Sequence, residues 1–289
     1  MTRPDPLIDR YGQDLGLSAR LSSHLSAHPS SQLPAAMPNA VIERMLAHRS
    51  VRAFLDAPLP AGTLDLLVAA AQSAATSSNL QAWSVIAVED PARRARLAKL
   101  ANDQAHVARV PLFLVWLADL SRLDRVARRR DEEPGANRFF EMFLVAAIDA
   151  ALAAQNAALA AESLGLGTVY IGAMRNHPEQ VAEELQLPPR TFALFGLCVG
   201  HPDPARPADV KPRLAPSVVL HRERYDPAAA REVEAVADYD EVMQRFQRAQ
   251  KMTEQPWSRQ ASARVRGAES ISGRHGLIAS VRRQGFELD

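Results

Sequence analysis

The segment Phe139–Leu164, FFEMFLVAAIDAALAAQNAALAAESL, is the longest regular pattern in this chain. Its apolar residues recur at helical spacing on nearly every face, and Gly165 follows as a terminator. A helix that is apolar on all faces has to be buried on all faces. Its many alanines allow other helices to approach closely, which favours a central helix at the interface between two subunits. A core helix within a monomer is the alternative.

Short strands and helices alternate around this segment. Apolar runs of strand length occur at 83–88, 111–117, 168–171 and 192–199. Helical patterns lie at 41–46, 63–74, 90–102 and 178–185, with Thr63 as the expected cap of the second and Pro91 in the first turn of the third. This alternation predicts an α+β or α/β fold in which helices cover a sheet. Residues 164–167 hold only half of a Gly-x-Gly-x-x-Gly fingerprint and end a helix, which argues against a Rossmann domain.

The composition is that of an ordinary soluble globular protein. The chain has 289 residues and a net charge of +1, and 47% of the residues are hydrophobic and 23% charged. Its basic residues are dispersed, which argues against nucleic-acid binding. No apolar run is expected to reach the length of a membrane span, and the polar segment Met1–Arg10 lacks the apolar core of a signal peptide.

Cys198 is the single cysteine of the chain, which excludes an internal disulfide and is typical of the reducing cytoplasm. It lies in an apolar run of strand type, so we expect a buried, unreactive thiol. The eight histidines and this cysteine show no spacing typical of metal ligands, and we expect no metal site.

A basic cluster, His48-Arg49-Ser50-Val51-Arg52, follows the helical pattern at 41–46. Arginine forks match phosphate oxygens, and a serine hydroxyl can complete an anion pocket. The alternative is a solvated basic helix end that interacts favourably with the helix dipole. A second basic pair, Lys211 and Arg213, lies far downstream, and alternation in an extended stretch would place both on one side.

The polar run Thr76-Ser77-Ser78-Asn79-Leu80-Gln81 lies between two apolar elements. Its hydroxyl and amide groups could hydrogen-bond a ligand, and a capped turn is the alternative. Gly172, which follows the strand pattern at 168–171, would let a flat ring approach the backbone closely.

In their order along the chain these motifs resemble the FMN-dependent nitroreductase family, in its branch of oxygen-insensitive NADPH nitroreductases and flavin reductases. The matching segments are Ile42–Arg52, Ala75–Gln81, Ala154–Asn156, Ala161–Gly167, Val169–Gly172, Phe195–Gly200 and Lys211–Leu214. The resemblance covers about residues 41–289 and leaves residues 1–40 without a counterpart.

The resemblance implies a mixed sheet flanked by helices and an intertwined homodimer. It divides the chain into a loosely held N-terminal extension (1–40), an FMN-binding core (41–224) and a C-terminal excursion (225–289). The excursion would wrap the partner subunit and contribute to NAD(P)H binding.

The resemblance also implies roles for individual residues. His48, Arg49, Ser50 and Arg52 would hold the FMN phosphate, and Thr76, Ser77 and Ser78 the ribityl chain or ring edge. Tyr170, Ile171 and Gly172 would lie against the flavin, with Gln104 in a short matching stretch nearby. Lys211 and Arg213 would contact the flavin or its phosphate, where cations favour hydride acceptance.

For NAD(P)H binding the resemblance points to Arg274 and, more weakly, to Arg248, because the segment 248–256 lacks the paired arginines of the branch. These arginines could instead solvate terminal helices.

The implied function is ping-pong hydride transfer from NADPH, rather than NADH, through bound FMN to nitroaromatics, quinones or similar acceptors. No catalytic side chain is expected, since the flavin carries the chemistry. We expect a cytoplasmic homodimer without nucleic-acid or membrane partners. The alternatives are a flavin reductase that releases reduced FMN and a non-enzymatic flavin-binding regulatory protein.

Overall fold

The computed structural model describes residues 10–11, 39–227 and 229–289, with the backbone alone at 229–231. The chain divides into two compact units. The sheet unit comprises residues 50–207 and 271–289, and the helical unit comprises the described residues of 1–49 and 208–270. Except at positions 10–11 and 39–40, the expectation of a loosely held N-terminal extension lies outside the described residues.

The sheet unit contains four strands, β1 (Trp83–Val88), β2 (Leu112–Asp119), β3 (Gly167–Ile171) and β4 (Thr191–Gly200), in the order β1-β2-β4-β3. All three strand pairs are antiparallel. The mixed character expected of the sheet is confined, in the described residues, to a parallel bridge between Ser50 and Thr168. The α+β class is confirmed.

The helices of the described residues follow in chain order. They are α1 (Ala40–Leu46), α2 (Thr63–Gln72), α3 (Pro91–Leu100), α4 (Ala105–Arg109), α5 (Ser121–Arg128), α6 (Phe140–Ser163), α7 (Pro178–Glu184), α8 (Pro216–Val219), α9 (Ala229–Ala249), α10 (Trp257–Arg264) and α11 (Leu277–Arg283). Short 3₁₀ turns lie at Ser77–Asn79, Gly135–Arg138, Gly172–Arg175, Ala268–Ile271 and Arg274–Gly276.

Helix α2 begins differently from the prediction. Its N-cap is Gly62, with a φ of +81°, and Thr63 is the first helical residue. The Thr63 hydroxyl donates to the Pro60 carbonyl at 2.7 Å, so it stabilises the preceding turn instead of capping the helix. Pro91 lies in the first turn of α3 as predicted, and Asp90 caps that helix by accepting from the Ala92 and Arg93 N–H groups.

Strand β2 is buried along its whole length because both faces of the sheet are covered. Leu112, Leu114, Trp116 and Ala118 pack into a cluster with the alanines of α6. The intervening Phe113, Val115 and Leu117 pack into a second cluster with residues of α3, α4 and α7. Alternation along the strand therefore builds two apolar layers. Cys198 is fully buried in the second cluster, as predicted, and burial raises the pKa of its thiol.

Helix α6 confirms the predicted helix but is not buried on every side within the described chain. Its buried face is mainly alanine and packs on β2 and β4. Four large side chains on the other face, Phe140, Leu144, Ile148 and Leu152, are 51%, 42%, 49% and 45% exposed.

By length and composition α6 is also long and apolar enough to cross a membrane, the one such helix among the described residues. The expectation that no apolar segment reaches this length is therefore wrong, because the many alanines raise the hydropathy of the segment. Its buried residues include Asp149 and Glu162.

We predict that Gly196→Ala lowers the free energy of unfolding by about 1–3 kcal/mol, the usual cost of overpacking a core. Gly196 lies opposite Val115 in β4, and an added methyl group would overlap the ring of Phe113, which is fully buried and has no space to move into. Urea denaturation measures the loss. Gly135→Ala is the control, because the added methyl group there would meet no atom within 4 Å apart from its neighbours along the chain. Equal stability of the two variants would contradict the packing described for β2 and β4.

Candidate functional site

The end of the basic cluster runs beside β3 in the sheet unit. Ser50 forms the bridge to Thr168, and the Val51 N–H donates to the Thr168 carbonyl at 2.8 Å. A side chain at Gly167 would collide with Val51, since its Cβ would lie 2.8 Å from the Val51 Cβ. The glycine therefore admits the buried Val51, and Arg52, the next residue, is exposed to solvent.

Arg52 lies close enough to His106 to act on its ionisation. Burial, and secondarily the positive charge of Arg52, lower the pKa of His106. The His106 Nε2 atom is buried and has no hydrogen-bond partner among the described residues. Gln104, two residues earlier, donates from its side-chain amide to the Ala101 carbonyl at 2.8 Å, which holds this segment against the end of α3. The sheet unit thus brings Arg52 together with the segment that contains Gln104.

The predicted polar run forms a strained loop. Ser78, Asn79 and Gln81 all have left-handed backbone conformations, with φ values of +48°, +54° and +52°. Such conformations persist only where the surrounding structure fixes them, and they cluster at functional sites. The Thr76 hydroxyl oxygen accepts from the Gln81 N–H at 3.2 Å, which closes the loop across its base.

Asp149 on α6 holds both ends of this loop. Its Oδ1 accepts from the Ser77 N–H and its Oδ2 from the Ala82 N–H, each at 3.1 Å. The carboxylate is 1% exposed, so these bonds satisfy a group that would otherwise be costly to bury. Sequence reasoning missed Asp149, although a lone carboxylate within an apolar helix is a signal of this kind.

A cavity of about 370 Å³ opens beside β3. Its lining residues come from α6, β3, β4 and the turn after β3: Ala151, Gln155, Tyr170, Gly172, Arg175 and Phe195. The Tyr170 hydroxyl donates to the Gln155 Oε1 at 3.3 Å, and the Tyr170 and Phe195 rings meet edge to face with centroids 5.5 Å apart. The Ile171 side chain belongs to the core, so its contact with a ligand here would be through the backbone.

Two titratable groups line this cavity. Burial, with a smaller contribution from Glu162, raises the pKa of Tyr170, so its phenol stays protonated at neutral pH. The Arg175 guanidinium donates to the Leu194 carbonyl, and burial lowers its pKa without removing its charge at neutral pH. The cavity therefore offers a neutral donor, an amide, a cation and aromatic faces.

The helical unit carries the remaining predicted phosphate ligands. Lys211 and Arg213 are exposed and Pro212 between them is buried, which is the alternation that the sequence predicts. The Tyr239 hydroxyl donates to the Pro212 carbonyl at 2.9 Å and fixes this segment. Arg49 is exposed and follows the half-buried His48 at the end of α1.

Comparison with known proteins decides the family. The nitroreductase family model matches residues 45–201, and the model of that family's C-terminal domain matches residues 211–289. The chain belongs to the nitroreductase family. The predicted resemblance is therefore confirmed.

Three relatives of this nitroreductase-family protein illustrate the similarity. It is 42% identical over 225 residues to FMN reductase (NADPH) of Bacillus subtilis, and this match covers 77% of this chain and 90% of the relative. It is 39% identical over 205 residues to the oxygen-insensitive NADPH nitroreductase of Salmonella typhimurium, over 71% and 81% of the two chains. The solved structure of B. megaterium NfrA1 has 40% sequence identity and a TM-score of 0.80, and the match covers 86% of this chain and 100% of that one.

The two arginines predicted to bind NAD(P)H already have acceptors within their own units. In the sheet unit the Arg274 Nε donates to the Asn176 Oδ1 at 2.8 Å. In the helical unit Arg248 forms a two-pronged ion pair with Glu254, at 3.0 and 2.9 Å, which raises the pKa of Arg248. Arg248 would have to leave Glu254 to use both prongs on a phosphate, which makes it the weaker candidate of the two.

We predict that Asp149→Asn destabilises this nitroreductase-family protein by about 1–3 kcal/mol, because one acceptor becomes an N–H₂ group facing a backbone N–H. Urea denaturation measures the stability, and limited proteolysis measures the opening of the 76–82 loop. Asp56→Asn, at an exposed position, is the control and should change neither. An Asp149→Asn protein with unchanged stability and unchanged cleavage would show that the carboxylate does not hold the loop.

Proposed function

We propose that this protein is an NAD(P)H-dependent FMN oxidoreductase that prefers NADPH. The observation that carries the proposal is the cavity lined by Tyr170, Gly172 and Phe195, in a chain of this family. Its volume of about 370 Å³ lies within the range of small-molecule sites. The names of the relatives, FMN reductase (NADPH) and oxygen-insensitive NADPH nitroreductase, support the same cofactor and the same reductant.

The residues present fit FMN. A phosphate requires exposed guanidinium groups and further donors, and the sheet unit offers Arg52, Ser50 and the unpartnered buried Nε2 of His106. His48, Arg49, Lys211 and Arg213, which the family resemblance also proposes as FMN ligands, lie in the helical unit. Thr76, Ser77 and Ser78 on the strained loop would hydrogen-bond the ribityl chain, and Gln104 would bind near the flavin.

When bound, FMN would supply the hydride-accepting and hydride-donating chemistry. The chain's own residues would bind and orient the reactants and supply charge. Arg175 places a cation at the cavity. Lys211 and Arg213 are the cations of the helical unit that are proposed to favour hydride acceptance. No side chain is assigned as a catalytic acid or base, since the flavin would carry the chemistry.

The acceptors of the proposed enzyme would be nitroaromatics, quinones or free flavin. Release of reduced FMN is a second candidate function, favoured by the name of the relative that is 42% identical. The purified protein should be yellow and should oxidise NADPH faster than NADH. A tenfold preference for free FMN over nitrofurazone would favour the flavin reductase, and a yellow protein without NADPH turnover would favour a regulatory flavin-binding protein.

The exposed side of α6 supports a homodimer. Phe140, Leu144, Ile148 and Leu152 recur every four residues and form one apolar stripe. Stripes of this kind mark association surfaces. A second copy of the chain would cover this stripe, and the excursion at 225–289 would reach the partner and contribute Arg274 to NADPH binding. We place the enzyme in the cytoplasm, to which the single reduced Cys198 is suited.

We predict that Leu152→Glu shifts the protein from dimer to monomer and lowers its FMN content, because a buried charge opposes association. The molar mass measured by light scattering should fall from twice the 31.6 kDa chain mass towards the mass of one chain. Leu66→Glu, at another exposed leucine, is the control and should keep the wild-type mass. A Leu152→Glu dimer with full flavin would remove α6 from the interface.

We also predict that Arg49→Ala and Arg52→Ala each weaken FMN binding about ten- to a hundredfold, since a charge-assisted hydrogen bond contributes roughly 1.5–3 kcal/mol. Titration calorimetry of the flavin-free proteins measures this. The exposed Arg245 is the matched control, and Arg245→Ala should bind FMN as the wild type does. Unchanged affinity in both Arg49→Ala and Arg52→Ala would contradict the phosphate assignment.

A further inference from the structure

Arg10 is a buried arginine in the helical unit, 7% exposed. Its Nη2 atom donates to the carbonyl oxygens of Leu46 and His48, at 2.6 and 2.9 Å. Its Nη1 atom donates to the carbonyl oxygen of Lys211 at 3.1 Å. The Arg10 carbonyl in turn accepts from the Arg213 N–H at 3.0 Å. One residue therefore binds two segments that are far apart in the sequence.

The guanidinium group is suited to this role because it is planar and rigid, and its five donors point in fixed directions. Three backbone carbonyls compensate part of the cost of burying its charge. Since these carbonyls belong to the end of α1 and to the segment 211–213, the guanidinium sets the distance between the two backbones. The first backbone segment carries the side chains of His48 and Arg49. The second carries those of Lys211 and Arg213, and the Arg213 N–H donates to the Arg10 carbonyl.

We propose that Arg10 is a positioning residue that holds the basic segments 48–49 and 211–213 at the spacing that an FMN phosphate requires. The proposal rests on the proposed function, in which these two segments bind that phosphate. In this proposal Arg10 acts through the backbone, since both of its Nη atoms donate to backbone carbonyls. It adds a buried positive charge behind the cluster and fixes the geometry of the exposed cations.

If Arg10 only stabilised the fold, its loss would weaken the binding of all flavins alike. This structural role can be separated from the positioning role. Tyr239 holds Pro212 independently of Arg10, through the hydrogen bond of its hydroxyl to the Pro212 carbonyl. Loss of the Arg10 side chain therefore leaves the segment 211–213 attached to α9 and removes the tie to His48. The phosphate-binding geometry should loosen while the rest of the helical unit stays folded.

The test compares FMN with riboflavin, which lacks the phosphate, in fluorescence titrations of the full-length flavin-free protein. Arg10→Ala should weaken FMN binding about tenfold or more, because the displaced cations would lose charge-assisted hydrogen bonds to the phosphate. Riboflavin binding should stay unchanged. Guanidinium ion at millimolar concentration should restore part of the FMN affinity to Arg10→Ala. Arg10→Lys keeps the positive charge but not the planar guanidinium group, and its FMN affinity should lie between those of the wild type and Arg10→Ala. It serves as the test if Arg10→Ala does not fold.

Arg94→Lys is the matched control, because Arg94 is also buried, at 8% exposed, and also donates to a backbone carbonyl, that of Glu89. It should bind FMN and riboflavin as the wild type does. An equal loss of affinity for both flavins in Arg10→Lys, or no loss for FMN, overturns the positioning role. A wild-type protein that binds FMN no more tightly than riboflavin overturns the phosphate site itself, and with it this proposal.

Discussion

The packing of α6 against the sheet is the constraint on which the rest of the sheet unit depends. Alanines on the buried face let the helix lie close to β2 and β4, and the alternation of β2 places Leu114 and Trp116 under it. The same helix carries Asp149 to the ends of the strained loop and Gln155 to the cavity beside β3. One helix therefore positions the core, the loop and the cavity, and its exposed stripe is the surface proposed to contact a second subunit.

Buried polar groups perform a similar task in both units. In the sheet unit a carboxylate, Asp149, accepts two backbone N–H groups and holds a loop whose conformation is unfavourable by itself. In the helical unit a guanidinium, Arg10, donates to three backbone carbonyls and ties two basic segments together. In each case one buried charge organises the backbone of residues proposed to bind flavin. A buried charge that is fully hydrogen-bonded can specify geometry where apolar contacts, which are not directional, cannot.

Much of the fold could be predicted because its signals are local. The strands and the helices α3, α6 and α7 follow from apolar periodicity, and their ends were placed within a few residues. The N-cap of α2 could not be predicted, because Gly62 and Thr63 are both residues that suit the start of a helix. Only the hydrogen bond of the Thr63 hydroxyl to the Pro60 carbonyl shows that Thr63 is not the cap. The antiparallel pairing of all strands also escaped prediction, because it depends on how β4 inserts between β2 and β3.

The sequence by itself determined the family, the α+β class and the residue types offered to a flavin, because ordered motifs and periodicity are properties of the chain. Only the tertiary structure decided which buried groups serve those motifs. Asp149 lies 67 residues from Ala82, and Arg10 lies 201 residues from Lys211. Their partners are backbone atoms, which every residue carries and no sequence pattern marks. The same holds for the exposed stripe of α6. Its residues are apolar in the sequence, but only the packing of the helix on the sheet decides which face stays exposed.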